Sequence, residues 1–180
     1  MKSITSWIEH RLKLKVNQTK SAVDYPARRK FLGFSFYRSK EGVRVRVHSK
    51  PLERFKEKIR TITSRSNGTG MEMRIKKLNQ LIVGWVNYFK LADIKHHCQK
   101  LDEWIRRRLR MCYWKDWKKI KTKYVNLKRL GLPEDKSWEY ANSRKGYWRI
   151  AGSFILHKSI TNEFLEKVGF RPVTKVYIKT

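Results

Sequence analysis

Acidic side chains and cysteines are both scarce in this 180-residue chain. Only 15 residues are Asp or Glu against 44 Lys and Arg, which gives a formal net charge of +29 at pH 7. The two cysteines, Cys98 and Cys112, do not form a CxxC pair, so no disulfide scaffold is indicated and a reducing cytosol is the default. No apolar run approaches the roughly 18 residues of a membrane span, and no signal peptide is recognisable. We therefore expect no membrane association.

Close groups of metal-binding residues are also missing. Two-metal polymerases and nucleases hold their cations about 3.5–4 Å apart, which requires carboxylates that lie close together. The aspartates are scattered singly, and Glu134-Asp135 follows a proline, where it is more typical of a helix start. The His96-His97-Cys98 run has no second group of ligands at the short spacing that structural zinc sites show. We predict no catalytic residue, metal ligand or other cofactor on this chain.

Positive charge and aromatic rings are what the sequence has in abundance. Seven Trp, eight Tyr and eight Phe, with 40% hydrophobic residues overall, are sufficient for a packed core. An excess charge of this size repels itself unless a polyanion neutralises it. A phosphate backbone is the usual partner, because bound Lys and Arg release its condensed counterions. The composition predicts nucleic-acid binding, and the aromatic residues near basic ones favour RNA.

The N-terminal part of the chain shows the clearest strand pattern. Residues 4–13 have the pattern of a short helix, followed by a small strand at 14–16. Residues 31–38 and 43–48 are rich in β-branched and aromatic residues, and the second run alternates valine with basic residues. The segment between them ends in Gly42, which suits a turn. A β-hairpin is predicted.

The central part has helical periodicity. A helix starts at Ser49-Lys50-Pro51, a flexible break occupies residues 64–70, and the next helix covers residues 71–91. Within this second helix one arc is apolar: Ile75, Leu78, Ile82, Trp85, Val86 and Phe89. Lys76 and Lys77 lie on the opposite face, together with Gln80, Gly84 and Asn87.

The most basic helix is predicted over residues 99–119. Leu101, Trp104, Ile105, Leu109 and Cys112 share its apolar stripe, and Arg106, Arg107 and Arg110 occupy the far side. If the helix continues unbroken, Trp114 and Trp117 lie on the arginine face, where they could stack on unpaired bases. The alternative is that the helix bends and buries both tryptophans. The predicted nucleic-acid-binding residues are Lys76, Lys77, Arg106, Arg107, Arg110, Trp114, Lys115, Trp117, Lys118 and Lys119.

Shorter units follow from residue 121 onwards. A brief helix is expected with Ser137 as its N-cap, and another covers residues 160–168 and stops at Gly169. Pro172 precedes an extended end. The predicted fold class is α+β and mainly α: a short N-terminal hairpin, a helical bundle and small C-terminal helices.

Specific strings resemble those of a known family. LNQLIVGWVNYFKLA (78–92) and KLDEWIRRRLR (100–110) are similar to the maturase-specific segment of reverse transcriptases that group II introns encode. Upstream, LKLKVNQTKS (12–21) and KFLGFSF (30–36) look like the last two palm blocks of a reverse transcriptase. SRKGYWRIAGSFILHKSITNEFL (143–165) resembles the tail of bacterial, group IIC-like members. The motifs occur in the family's order.

The resemblance implies a layout. Residues 1–48 would be a palm remnant, 49–120 the thumb with maturase function, and 121–180 the C-terminal region. Fingers and most of the palm are absent, including the aspartate pair that binds metal. The chain could therefore be a natural truncation, one half of a split protein, or an excerpt.

The resemblance also implies roles for the N-terminal blocks. Phe31, Leu32 and Gly33 correspond to the family's primer grip, and Lys20 to a lysine near the phosphates of the incoming nucleotide. Mg²⁺ is expected only with a complete polymerase palm or with the intron RNA.

Three functions follow as hypotheses. The first is binding of structured intron RNA to assist splicing or mobility, in the bacterial cytoplasm and without polymerase activity of its own. The second is completion of a split reverse transcriptase by pairing with a separate N-terminal fragment, so that RNA/DNA primer-template becomes a further partner. The third is a remnant without function.

Overall fold

A computed structural model describes residues 1–179 of the chain. A helix, a short 3-10 turn (Pro26–Arg28) and a two-stranded sheet come first: α1 Lys2–Arg11, β1 Phe34–Ser39 and β2 Gly42–Val47. The remaining elements are helical: α2 Ser49–Ile62, α3 Met71–Phe89, α4 Lys95–Asp116, α5 Ile120–Arg129, α6 Glu134–Ala141, α7 Tyr147–Ala151, α8 Phe154–Ser159, α9 Asn162–Lys167 and α10 Val173–Lys179. The predicted fold class, α+β and mainly α, is confirmed.

The predicted hairpin is present and docks onto the end of α3. Strands β1 and β2 are antiparallel, and Phe34 pairs with Val47 at their open end. The Phe34 ring contacts the Phe89 ring edge-on, with 5.1 Å between centroids. The backbone N–H of Asp93 donates to the Val45 carbonyl at 2.8 Å, which extends β2 towards the α3–α4 connection. Aromatic packing and a backbone bond therefore fix the hairpin to the helices.

The prediction of a strand at residues 14–16 is wrong. These residues form no strand, because no neighbouring segment within residues 1–179 offers them a hydrogen-bonding ladder. Apolar residues at alternate positions favour extended backbone, but a strand exists only where a partner pairs with it.

The core lies between α2, α3 and α4, as their periodicity predicted. All six residues of the apolar arc of α3 are buried. Phe55 of α2 stacks on Trp85, with ring centroids 4.5 Å apart, and Ile59 is fully buried beside them. The same hydrophobic cluster continues from Val47 in β2 to Val173 in α10, so the C-terminal helices share one core with the central helices.

A buried arginine anchors the loop between α2 and α3. Arg74 donates through Nη1 to the carbonyls of Ile62 at 2.9 Å and Ser64 at 2.7 Å, and through Nη2 to Thr69 at 2.7 Å. A cation at these carbonyls also complements the negative end of the α2 dipole. The helix break predicted at residues 64–70 is present, and Arg74 holds it in place.

The C-terminal helices differ from expectation at two places. The segment after Pro172 is not extended but forms α10, which packs on α3 and α4. Ser137 is not an N-cap: α6 begins at Glu134, and the buried Ser137 hydroxyl donates to the Pro133 carbonyl at 2.8 Å inside the helix. The helix that was expected to stop at Gly169 is α9, and Gly169 has a φ of +98°, as a glycine that ends a helix often does.

The N-terminal connection should be the least protected part of the chain. Residues 12–30 contribute nothing to the core, and their side chains are exposed except for a few half-buried ones. Amides there should exchange roughly a hundredfold or more faster than those of α3, because segments with few buried contacts open at little cost. Hydrogen exchange followed by mass spectrometry measures this. Equal protection in both segments would contradict the expectation.

Candidate nucleic-acid interface

The arginines of α4 do not lie on an open face, because the C-terminal helices pack across it. Helix α7 contacts α4 directly, and α10 packs on α4 further along. Arg106 and Arg107 are half-buried, and Arg110 is buried with 3% exposed. The prediction that all three point outwards is wrong. The prediction assumed that only the apolar side of a helix is buried. An arginine side can be buried as well, when main-chain carbonyl groups of a neighbouring segment accept its hydrogen bonds.

Arg110 is a structural residue. Its Nε donates to the Ile160 carbonyl at 2.8 Å, and its Nη2 donates to Oδ1 of Asn162 at 3.2 Å. Burial, followed by the nearby charge of Arg106, lowers the pKa of the Arg110 guanidinium to about 10. The predicted role of Arg110 in RNA contact is therefore corrected: it joins α4 to the α8–α9 junction.

Arg107 holds an aromatic residue at the surface. Its Nη2 donates to the Trp148 carbonyl at 2.9 Å, and its guanidinium carbon lies 4.2 Å from the centroid of the Trp148 ring. Gly152 makes room for this arrangement, since a Cβ there would lie 2.7 Å from the guanidinium carbon. Trp148 remains 39% exposed. The pair presents an aromatic ring with a cation over one of its faces.

A cleft opens between α4 and the helices α7 to α9. Its volume is about 690 Å³. It is lined by Lys100, Glu103, Trp104, Arg106, Arg107, Arg110, Trp148, Gly152, His157 and Asn162. Burial, followed by the charges of Arg110 and Arg107, lowers the pKa of His157, so this ring is neutral at pH 7. The cleft is positively charged through its lysine and arginines.

The positive surface continues from this cleft towards α2. The guanidinium carbons of Arg60 and Arg108 lie 5.6 Å and 5.4 Å from the centroid of the Trp104 ring. A second, smaller concavity is lined by Leu52, Lys56, Arg60, His97, Lys100, Leu101 and Trp104. Because the two concavities share Lys100 and Trp104, they form one surface. We call it the basic groove and define it by Lys56, Arg60, Lys100, Trp104, Arg106, Arg107 and Trp148.

The two tryptophans expected to stack on bases are in the core. Helix α4 ends at Asp116, so Trp117 no longer follows the arginine face, and α5 begins at Ile120. Trp114 is 2% and Trp117 9% exposed. Their rings meet edge-on at 6.0 Å, and Nζ of Lys123 lies 4.7 Å from the centroid of Trp114. Both tryptophans are buried, as the alternative interpretation expected, but Trp114 lies inside the continuous helix α4 and only Trp117 lies beyond its end. The predicted base-stacking role of Trp114 and Trp117 is corrected.

The predicted lysines lie on other surfaces. Lys76 and Lys77 are exposed on α3, on the face opposite the core, as predicted. Lys118 and Lys119 are exposed in the connection between α4 and α5, and Lys115 is half-buried with its Nζ 4.0 Å from a carboxylate oxygen of Asp116. Their role in nucleic-acid binding stays a prediction.

Several residues of the basic groove were missed from the sequence. Lys56, Arg60 and Lys100 sit on the polar sides of helices and resembled any solvated basic face. Trp104 was assigned to the apolar stripe and is only half-buried. For Trp148 the available signal was the run Gly146-Tyr147-Trp148-Arg149, where aromatic and basic residues adjoin a glycine.

The primer-grip-like residues form an exposed, tight turn. Phe31 and Phe34 exchange backbone hydrogen bonds of 3.0 Å and 2.8 Å, while Leu32 and Gly33 between them have φ values of +48° and +86°. Such a conformation is costly for leucine. The Tyr88 hydroxyl donates to the Leu32 carbonyl at 2.9 Å and helps to hold it. Phe31 and Leu32 are exposed.

Lys20 is the last residue of a short turn that Asn17 stabilises. Its backbone N–H donates to Oδ1 of Asn17 at 3.1 Å, and its side chain is exposed. The primer-grip and nucleotide-phosphate roles of Lys20 and residues 31–33 stay predictions.

Both cysteines are buried. Burial raises the pKa of the Cys98 thiol to about 12 and also raises that of Cys112, so neither is a thiolate at neutral pH. Within residues 1–179, no three side chains of His, Cys, Asp or Glu are grouped so as to hold a metal ion. Nor does any helix in that range have the length and apolar composition needed to cross a membrane.

The central helices match a known family. Residues 52–131 match the family model of the group II intron maturase-specific domain. This span contains most of α2, all of α3, α4 and α5, and every residue of the basic groove except Trp148. The comparison with curated proteins gives no match for the chain. The family match supports the interpretation of this segment as the C-terminal part of a group II intron maturase, with a role in splicing or mobility.

Proposed function

We propose that this protein binds structured intron RNA as the maturase part of an intron-encoded reverse transcriptase of the bacterial, group IIC-like kind. The observation that carries the proposal is the position of the basic groove inside the segment that matches the maturase-specific family. Splicing chemistry would belong to the RNA. The protein would supply differential binding to the active RNA conformation, which is how a ligand shifts a conformational equilibrium.

The charge of the groove supports this proposal. Lys100, Arg106 and Arg107 belong to none of the ion pairs found among residues 1–179, and the one acidic residue lining the larger cleft is Glu103. Cations that no carboxylate neutralises remain available for phosphate groups. Exposed Lys76 and Lys77 on α3, and Lys118 and Lys119 after α4, would extend the contact along a folded RNA.

A second candidate function is the completion of a split reverse transcriptase. The exposed turn at Phe31–Gly33, with the Phe31 and Leu32 side chains towards solvent, favours it, as does the small size of the sheet, which has two strands within residues 1–179. A separate chain carrying the fingers and the palm aspartates would cover these residues and, with primer-template, would bring Mg²⁺. Co-purification with such a polymerase fragment, and primer extension by the mixture, test this alternative.

RNA binding should depend steeply on salt. If roughly six to eight phosphates are contacted on mixed single- and double-stranded RNA, the logarithm of the association constant should fall with a slope on the order of −4 to −6 against the logarithm of salt concentration. Filter binding of a group II intron RNA between low and high salt measures the slope. A slope near −1 would contradict the electrostatic proposal.

Primer extension should not occur with the chain alone. A polymerase of the two-metal kind needs paired carboxylates that hold two cations about 3.5–4 Å apart, and we propose that this chain supplies none. Pure protein, primed RNA template, Mg²⁺ and nucleotides should therefore give no product, with a complete reverse transcriptase as the positive control. Robust extension by the pure chain would overturn this part of the proposal.

A further inference from the structure

We infer that the cleft between α4 and α7 is a pocket for a single unpaired nucleotide, with its base on Trp148 and its phosphate on Arg106, Arg107 and Lys100. The inference rests on the proposed RNA binding and assigns it a particular point of contact. It also gives a function to the C-terminal helices, which lie outside the family match.

The shape of the cleft suits one nucleotide. Its volume of about 690 Å³ lies within the range of pockets that enclose small organic ligands. Walls from two separate parts of the chain, α4 on one side and α7 to α9 on the other, make it concave. A duplex presents its phosphates on a convex surface and keeps its bases inside, so it could touch only the rim. An unpaired nucleotide can enter.

The aromatic wall suits a base. Trp148 lines the cleft and is held there by two interactions with Arg107, the hydrogen bond to its carbonyl and the guanidinium over its ring. An aromatic side chain that is fixed but still 39% exposed has already lost much of the freedom that binding would cost. Bases stack on such rings and on arginine planes alike.

The cationic wall suits a phosphate. Arg106 forms no ion pair within residues 1–179, and its buried Nε has no hydrogen-bond partner there. Arg110 also lines the cleft, but it is 3% exposed and donates to Ile160 and Asn162, so it contributes charge and not a contact. Lys100 lines the same cleft from the adjacent turn of α4. The four cations that line the cleft, Lys100, Arg106, Arg107 and Arg110, outnumber its one acidic residue, Glu103.

The test compares two RNA probes and matched variants. The probes are a single-stranded octaribonucleotide and a blunt RNA duplex of the same length, each with a fluorescent label for anisotropy. Trp148→Ala should weaken binding of the single strand by roughly 5- to 150-fold, the cost of losing one stacked base. Binding of the duplex should stay within about twofold. Trp148→Phe keeps a ring and should retain most of the affinity.

Two control variants isolate the cause. Trp138→Ala removes an exposed tryptophan that stacks on Tyr124, away from the cleft, and should affect neither probe. Lys100→Gln removes one charge and should lower the salt slope for the single strand by about one. Melting temperatures of all variants show whether the fold persists, and affinities are compared where each is folded.

The outcomes separate this inference from the function on which it rests. Selective loss of single-strand binding in Trp148→Ala, with recovery in Trp148→Phe, supports the pocket. Unchanged binding of both probes, or an equal loss for both, overturns the pocket and leaves the proposed RNA binding intact. If the unaltered chain binds neither probe nor intron RNA, the proposed function fails, and the pocket with it.

Discussion

Trp114→Ala should destabilise the protein by about 3–5 kcal/mol, the cost of truncating a large buried side chain. Trp114 is almost fully buried, and it contacts Trp117 edge-on where α4 ends and α5 begins. Removing the indole leaves a cavity at this junction and takes away the ring beside Lys123. A loss of this size is a large part of the 5–15 kcal/mol that typically stabilises a domain.

The same variant should bind RNA as tightly as the unaltered chain once it is folded. Urea unfolding gives the change in stability, and anisotropy with the octaribonucleotide, measured at low temperature and corrected for the folded fraction, gives the affinity. Trp7→Ala, which removes an exposed tryptophan of α1, is the matched control and should change neither quantity. Normal stability with weakened RNA binding would mean that Trp114 does stack on bases.

Local patterns predicted the elements that apolar packing defines. The six apolar residues of α3 recur at helical spacing, and all of them are buried. The valine alternation at 43–47 predicted β2, and its pairing with β1 follows from the short turn at Gly42. In both cases the buried face is visible in the sequence because water exclusion needs apolar side chains at a fixed period.

Such patterns could not predict contacts between polar groups that are far apart in the sequence. The arginine face of α4 resembled a solvated face, yet a carbonyl 50 positions further on accepts from Arg110. The spacing of the residues around Arg110 does not indicate that partner. The end of α4 at Asp116 was missed for a related reason: residues 117–119 are as basic as the turns before them, and no glycine or proline marks the boundary.

The sequence therefore predicted the kind of candidate site, but only some of the residues that form it. A basic surface with aromatic residues was expected on α4, and the basic groove is there, with Arg106 and Arg107 among its members. The aromatic residues of the basic groove are not the predicted ones. Trp148 comes from a segment that is remote in sequence, whereas the tryptophans next to the arginines are buried. Helical spacing places Trp114 on the same face as Arg110, but it does not indicate whether other elements cover that face.

Helix α10 shows how one distant residue can determine a local structure. The sequence after Pro172 has β-branched and aromatic residues and no N-cap of its own, which is why an extended end was expected. Asp102 of α4 supplies the cap instead. Its Oδ1 accepts from the N–H of Val173 at 2.6 Å and its Oδ2 from that of Thr174 at 3.0 Å. A carboxylate at this position satisfies two free N–H groups and complements the helix dipole.

Asp102→Ala should therefore destabilise the protein by about 2–4 kcal/mol, because it removes a cap and leaves two N–H groups without acceptors. Asp102 is 2% exposed, so water cannot easily replace it. Asp102→Asn keeps one acceptor and should lose about half as much. Asp135→Ala, at an exposed acidic position in the first turn of α6, is the control and should stay within about 0.5 kcal/mol.

Urea unfolding measures the stabilities of these variants, and limited proteolysis locates the damage. If Asp102 holds α10, cleavage in the Asp102→Ala variant should begin after Pro172 while α3 and α4 stay protected. A variant as stable as the unaltered chain, with an uncut C-terminal segment, would show that α10 forms through its apolar contacts with α3 and α4 alone. The hydrogen bonds to the Asp102 carboxylate would then follow from the packing of α10 and would not determine it.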